Sequence, residues 1–274
     1  MPELPEVRTV CRILKEKVLN KEIKKVLVFK PKLFRELIVD DFIQELENEK
    51  ILGIENLGKH IIIKLTNKKV LLSHLRMEGK YRFFEKSESP DKHTVAIFKF
   101  KDNTELHYVD TRMFGTFYLR TIDDYLTKLP LSKIAAEPGN INVEQVLEKL
   151  SKTTVSIKTK LLDQTIVSGI GNIYVDEALF LAKVHPTSPS CNIPKNVIKK
   201  ILKYTHDVMR ESYEYGGSTL FSYESMNHEQ GQFQDKLKIH NSKLKNCSVC
   251  SNPIYKIKVN KRGTYVCPHC QKVY

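Results

Sequence analysis

The sequence predicts an α+β protein in three parts: a leading helix with antiparallel β-structure, a helical region, and a C-terminal β-hairpin with a metal site. Three observations predict it. Val7, Val10, Cys11, Leu14 and Val18 recur at helical spacing, short β-rich runs fill Ile23 to about Thr121, and later helical patterns lead into four clustered cysteines.

The first helix runs from Pro5 to about Leu19. Proline suits the first helical position because its missing N–H is not needed there, and Glu6 complements the positive end of the helix dipole. Asn20 supplies a stop. Pro2 and Glu3 have no comparable structural reading. "HIIIKLTNKKVLLSHL" and "TVAIFKFKDNTELHYVD" each read as two strands around a polar turn, at Thr66–Lys68 and Lys101–Thr104. Repeated hairpins of this kind indicate a β-sandwich or barrel. "LPLSKIAAEPGN" (Leu129–Asn140) gathers Pro, Gly and small residues into a linker. Beyond it, "VEQVLEKL", "VSIKTKLLDQTI", "NIYVDEALFLAKV" and "KNVIKKILKYTHDVMRESYEY" read as helices. The stretch from Gly216 to about Lys236 is long for a connection in a compact domain, so function or mobility is expected of it. The expected boundaries are 1–130 for the β-rich catalytic domain, 131–141 for the linker, 142–236 for the helical domain and 237–274 for the finger.

The formal net charge is +13, from 45 Lys+Arg against 32 Asp+Glu. That excess points to an anionic partner, nucleic acid first and an acidic membrane surface second, against the plainer reading of a lysine-rich solvated surface. No apolar run reaches the roughly 18 residues a membrane span requires, and the N-terminus lacks a signal-peptide pattern, so the expectation is a cytoplasmic protein without a membrane role.

"CSVC" and "CPHC" place Cys247, Cys250, Cys267 and Cys270 at C-x2-C-x16-C-x2-C spacing. Two thiolate pairs on tight knuckles, a hairpin apart, supply a closed tetrahedral set for one zinc ion. With all four positions taken by cysteine, no place is left for water or substrate, so the zinc is structural. Between the pairs, Tyr255, Ile257 and Val259 alternate with lysines, and "NKRG" turns the chain with Arg262 at the tip. That basic tip reads equally as a phosphate clamp or as a solvated turn. In "SGIGNIYVDE", Gly169 and Gly171 precede a helix beginning near Asn172, whose exposed amides form a ready anion site.

Three separated motifs then agree. "MPELPEV", "SGIGNIYVDEALF" and "VNKRGTYVCPHCQ" resemble the formamidopyrimidine-DNA glycosylase family, and "LGKH", "LSHLRMEGKY", "DTRMFG" and "GGSTL…GQFQ" fall between them in the family's order. The resemblance spans essentially the whole chain. Leu4 separates it from the sister endonuclease VIII group, which typically has glycine there.

The resemblance implies an N-terminal β-sandwich, a helix–two-turns–helix module and a zinc finger. It also implies a cleft in which duplex DNA bearing an oxidised purine or an abasic site lies bent with one nucleotide extruded. The enzyme would act as a monomer on nucleoid DNA, as a bifunctional glycosylase/AP lyase ending in β,δ-elimination. In the family Met1 is removed and the nitrogen of Pro2 is the nucleophile. The chemistry supports this independently. An α-amino group titrating near 7.7–8 is about a tenth free base at neutral pH, whereas an unperturbed lysine is less than about a thousandth free. A secondary amine yields an obligatorily cationic iminium, an electron sink for the elimination.

Glu3 would shuttle protons, and Glu6 matches a glutamate that helps hold the site, although complementing the helix dipole explains Glu6 nearly as well. Lys59 matches the family's catalytic lysine, and His74 a phosphate contact. Met77, Arg112 and Phe114 match the residues that fill the gap left by the extruded base: Phe as wedge, Arg on the orphaned cytosine, Met as adaptable filler. Taken alone, Met77 or Phe114 would read as core. Asn172, Arg262 and Lys158 would bind phosphates, and Gly217 to about Leu237 would cap the lesion.

The chain departs from the family in two places. Met113 stands where a basic residue is common, and "IHNSKLKNC" replaces a Tyr-Gly-Arg-x-Gly-x-Pro run before the first zinc cysteine. Two other readings compete: an endonuclease VIII-like pyrimidine-lesion glycosylase, and a non-catalytic zinc-ribbon nucleic-acid binder.

Overall fold

The computed structural model describes residues 2–218 and 231–274. The chain divides into two compact units, Met1–Ser132 with Ser218–Gly231, and Lys133–Gly217 with Gln232–Tyr274.

The first unit opens with α1 (Leu4–Val18), whose Val7, Val10, Leu14 and Val18 are all buried. Eight strands follow: β1 (Ile23–Val28), β2 (Ile51–Leu57), β3 (His60–Leu65), β4 (Lys69–His74), β5 (Lys80–Phe84), β6 (Thr94–Phe100), β7 (Glu105–Val109) and β8 (Thr116–Thr121). They form two four-stranded antiparallel sheets, ordered β1-β6-β7-β5 and β2-β3-β4-β8, the β-sandwich that the family resemblance implied. Ile54, Ile63, Leu71, Phe98, Leu106 and Phe117 fill the core together with the apolar face of α1. Asn67 and Lys68, both at positive φ, make the tight turn between β3 and β4.

One element inside this region departs from the β-rich reading: α2 (Val39–Leu46) is a helix. Asp40 and Asp41 sit in its first turn, and Phe42 and Leu46, four apart, are its buried residues.

The second unit holds α3 (Val143–Ser151), α4 (Ile157–Leu161), α5 (Asn172–Leu181), α6 (Lys195–Glu214) and the hairpin β9 (Tyr255–Val259) with β10 (Arg262–Val266). Asn260 and Lys261 form the hairpin turn, again both at positive φ. Among the described residues no helix is long and apolar enough to cross a membrane.

Candidate active site and nucleic-acid interface

In the first unit, the turn that opens α1 brings Pro2, Glu3 and Glu6 together, all buried. The Glu6 carboxylate accepts from the Glu3 N–H at 2.9 Å with one oxygen and from the Ser218 N–H at 2.8 Å with the other. One carboxylate therefore anchors both the start of the helix and residue 218. The expected lesion-capping segment falls largely on residues 219–230, outside the described residues.

Strand register places the remaining candidates of this unit. His60 on β3 pairs with His74 on β4, which pairs with Thr116 on β8. These three form a row at one end of the sheet. Three segments leave from that row: the β2–β3 turn with Lys59, the Leu75–Gly79 turn with Met77, and the Asp110–Gly115 loop with Arg112 and Phe114. Lys59 is buried, at 6% exposure. Met77 and Phe114, which a lone-residue reading would place in a core, are 39% and 51% exposed. The Arg112 guanidinium stacks 4.9 Å from the centre of the Phe114 ring. Met113, at positive φ, packs against the core, so the position where the family resemblance led one to expect a basic residue serves packing here.

The His60 and His74 rings meet edge to face, 4.5 Å apart. Burial, with Arg76 and Lys59 nearby, pushes His60 down to about 4. Burial, then His60, Arg76 and Lys59, hold His74 well below its ordinary value. His74 Nδ1 accepts from the Arg76 N–H at 2.9 Å, so the neutral ring carries its proton on Nε2, as a donor that costs no ionisation.

A pH dependence follows. Between about pH 6.5 and 4 the unfolded chain binds a proton at residue 60 that the folded protein refuses, so stability falls as pH drops through this window. His60 alone is expected to cost about 2 kcal/mol at pH 5 relative to pH 7.5. Urea unfolding at the two pH values measures it, and His60→Gln should flatten the difference by that amount. An unchanged pH response in the variant would count against this assignment.

In the second unit, Asn172 opens α5, but the N-cap is Gly171. Rather than capping the helix, the Asn172 side chain donates to the Gly263 carbonyl in the zinc hairpin at 2.8 Å. Arg262, beside Gly263, is exposed.

Lys158 departs from its expected place among the phosphate contacts. It is wholly buried, with Nζ 2.7 Å from Asp176 Oδ1 and 2.8 Å from Thr264 Oγ1. A charge so enclosed has no surface to offer a phosphate. It serves to join α4, α5 and β10. Asp176 Oδ2 also lies 2.7 Å from His240 Nδ1 and accepts from the Tyr265 N–H at 3.1 Å. Glu177 accepts from the N–H groups of Lys238, Ile239 and His240, at 2.9, 2.9 and 2.7 Å. The divergent segment before Cys247 is thus seated by its first residues: His240 on Asp176, and Ile239 within the apolar cluster around the cysteines.

Removing one partner of so enclosed a pair leaves an uncompensated buried charge. Lys158→Met is expected to destabilise the protein by about 3–5 kcal/mol. Thermal unfolding checks it, and Lys158→Met combined with Asp176→Leu should recover part of the loss. A loss under about 1 kcal/mol in the single variant would remove the pair from any structural role.

The four cysteine sulfurs lie within 4.8 Å of one another, with Cys247–Cys270 and Cys250–Cys267 Sγ separations of 3.8 and 3.5 Å. Four thiolates at zinc–sulfur bond length stand about 3.8 Å apart in a tetrahedron, so the set fits one structural zinc.

Family models match in three consecutive stretches. The formamidopyrimidine-DNA glycosylase N-terminal domain covers residues 1–117, the formamidopyrimidine-DNA glycosylase H2TH domain 134–224, and the zinc finger found in FPG and IleRS 245–273. The chain belongs to the formamidopyrimidine-DNA glycosylase family. It is 53% identical over 273 residues to the formamidopyrimidine-DNA glycosylase of Mycoplasmopsis pulmonis, covering 99% of this chain and 98% of the relative. It is 45% identical to that of Mycoplasma mobile, with both chains covered completely. Among solved structures it is similar to Lactococcus lactis Fpg in complex with Fapy-dG-containing DNA: TM-score 0.91 and 35% identity, over 98% of this chain and 100% of that one. The complex of that protein with DNA containing an abasic site also gives a TM-score of 0.91 at 35% identity, over 98% and 99% of the two chains.

Several residues that hold the candidate positions in place escaped the sequence reading: Asp110 and His60 in the first unit, and Asp176, Glu177 and His240 in the second. Two signals were available. Consecutive acids on the apolar α5 call for buried partners, and an acid at the head of "DTRMFG" suits a turn held by its own side chain.

Proposed function

We propose that this protein is a bifunctional DNA glycosylase/AP lyase that removes oxidised purines from duplex DNA through the nitrogen of Pro2. It acts as a cytoplasmic monomer on nucleoid DNA. Full-length membership of the glycosylase family, with Pro2, Glu3 and Glu6 gathered in one buried turn, carries the reading. The solved relatives in complex with Fapy-dG-containing and abasic-site DNA support it.

With Met1 removed, the Pro2 nitrogen attacks C1′. The N–C1′ bond forms, the glycosidic bond breaks, and the base leaves with its electron pair and a proton. Glu3 protonates the ring oxygen as the sugar opens, leaving the iminium. Loss of a proton from C2′ expels the 3′ phosphate, and a second elimination expels the 5′ phosphate. Lys59 and neutral His74 hold phosphates, the latter through its Nε2–H. Met77, Arg112 and Phe114 occupy the gap left by the extruded nucleotide. Asn172 and Arg262 bind flanking phosphates, and Lys158 supports them by fixing the hairpin. The zinc keeps the finger folded and takes no part in the chemistry.

The test compares duplexes carrying 8-oxoguanine or Fapy-dG opposite cytosine with duplexes carrying thymine glycol. Faster excision of the purine lesions is expected. Preference for thymine glycol would replace this reading with the endonuclease VIII-like one.

A further inference from the structure

Two crossovers between the sheets lie side by side in the first unit, and the candidate wedge residues ride on them. The Leu75–Gly79 turn leads from β4 to β5 and carries Met77, while the Asp110–Gly115 loop leads from β7 to β8 and carries Arg112 and Phe114. Exposed apolar and stacked side chains on loops need a rigid support if they are to enter a duplex.

That support is visible below them. Asp110 is fully buried, and its carboxylate accepts four successive backbone N–H groups: Arg112 and Met113 on Oδ1 at 2.9 and 3.0 Å, Phe114 and Gly115 on Oδ2 at 3.0 and 2.7 Å. A carboxylate has about four acceptor sites, and the loop's amides take all of them. Tyr108, also fully buried on β7, packs edge to face against Phe117 at 4.7 Å and Tyr81 at 5.1 Å. Its hydroxyl has no hydrogen-bond partner among the described residues. It presses between the two crossovers instead: a Cβ added at Gly79 would sit 2.1 Å from that oxygen, and one added at Gly115 2.0 Å. Glycine at both positions lets the two loops close on a single atom.

We propose that Asp110 and Tyr108 are positioning residues for DNA intercalation: Asp110 fixes the arc that presents Arg112 and Phe114, and Tyr108 locks that arc to the turn that presents Met77. The proposal rests on the wedge role assigned above to Met77, Arg112 and Phe114. Asparagine at 110 offers one acceptor oxygen and turns an NH2 group towards two of the four amides, so the arc loses its shape while the buried volume is kept.

The test uses the full-length protein and a duplex with 2-aminopurine beside a tetrahydrofuran abasic analogue, whose fluorescence reports unstacking. Rates are expressed per active molecule, counted by borohydride trapping on an abasic duplex. Asp110→Asn is expected to slow the unstacking step at least about tenfold, given that an ångström of misplacement costs about a hundredfold. Its Kd for the duplex should stay within about threefold. Tyr108→Phe, which only removes an unpartnered hydroxyl, should fold normally and slow the same step by a smaller factor. A lower active fraction with an unchanged rate per active molecule would mean that Asp110 is merely structural, and would overturn the proposal. Should Asp110→Asn yield no folded protein, Tyr108→Phe decides alone: a slowed step supports the proposal and a wild-type step overturns it. Phe114→Ala separates the two readings. If it retains the full fluorescence change, the wedge assignment itself fails. If it loses the change while both positioning variants keep it, only the positioning proposal fails.

Discussion

A chain with one extra residue ahead of Pro2 is expected to form almost no covalent adduct when borohydride is added to it and a lesion-containing duplex. The protein whose N-terminus is the free Pro2 nitrogen should trap readily. The reason is chemical and local. An added residue turns the Pro2 nitrogen into an amide, which has no basic electron pair to attack C1′, yet it leaves Glu3, Glu6 and the rest of α1 in place. Pro2→Gly, a primary amine on a looser backbone, should also trap far less. Removing a covalent nucleophile typically lowers the rate by three orders of magnitude or more, so gel quantification of the adduct separates the outcomes clearly. Equal trapping by the blocked chain would falsify the Pro2 mechanism and return attention to Lys59, the other candidate amine of this unit. Lys59 is buried beside a histidine row of depressed basicity.

The second large effect is expected from Cys267→Ser. Cys267 has no exposed surface and packs with Cys247, Ile239 and Phe180, so the metal site and the apolar base of the finger are one structure. Structural zinc contributes about 10–16 kcal/mol to the folding of isolated finger peptides, far more than a small hairpin could replace. Its loss frees the Gly263 carbonyl, to which Asn172 donates at 2.8 Å, and with it the backbone beside Arg262. The variant should therefore bind zinc at well below one equivalent. Its affinity for an abasic-analogue duplex should fall about a hundredfold or more, roughly 2.7 kcal/mol. Atomic absorption and a binding isotherm measure both. Undiminished affinity in a zinc-free variant would show the finger to be dispensable.

How far the structure could be read in advance varies with the range of the forces involved. α1, the β3–β4 and β6–β7 hairpins and the cysteine hairpin are written in local periodicity, turn chemistry and spacing, and each is found where its sequence places it. α2 is short, and its two-residue apolar stripe is lost among β-branched neighbours. The family motifs located Pro2, Glu3 and Glu6, yet nothing in the sequence tells that Glu6 also reaches Ser218, more than two hundred positions away. Lys158 shows the limit most directly. A lysine near a basic hairpin reads as a phosphate ligand until the partner that neutralises it, Asp176 on another helix, is seen. Asn172 follows the same rule, since its side chain answers a carbonyl in the hairpin and not its own helix. Local signals place backbone; the pairing of buried charges is settled by contacts remote in sequence.

The double engagement of Glu6 bears on how such an enzyme can change over generations. One carboxylate steadies the residue next to the proposed nucleophile and also the residue that leads into the segment proposed to cap the lesion. On the roles proposed above, a substitution there is expected to disturb reactivity and substrate choice together, so selection could adjust neither one alone at this position. Variation in lesion preference is freer to accumulate beyond Ser218, in positions that leave the shared anchor untouched. The run "FSYESMNHEQ" follows there in the sequence, while "PELPEV" at the start of the chain matches the family motif.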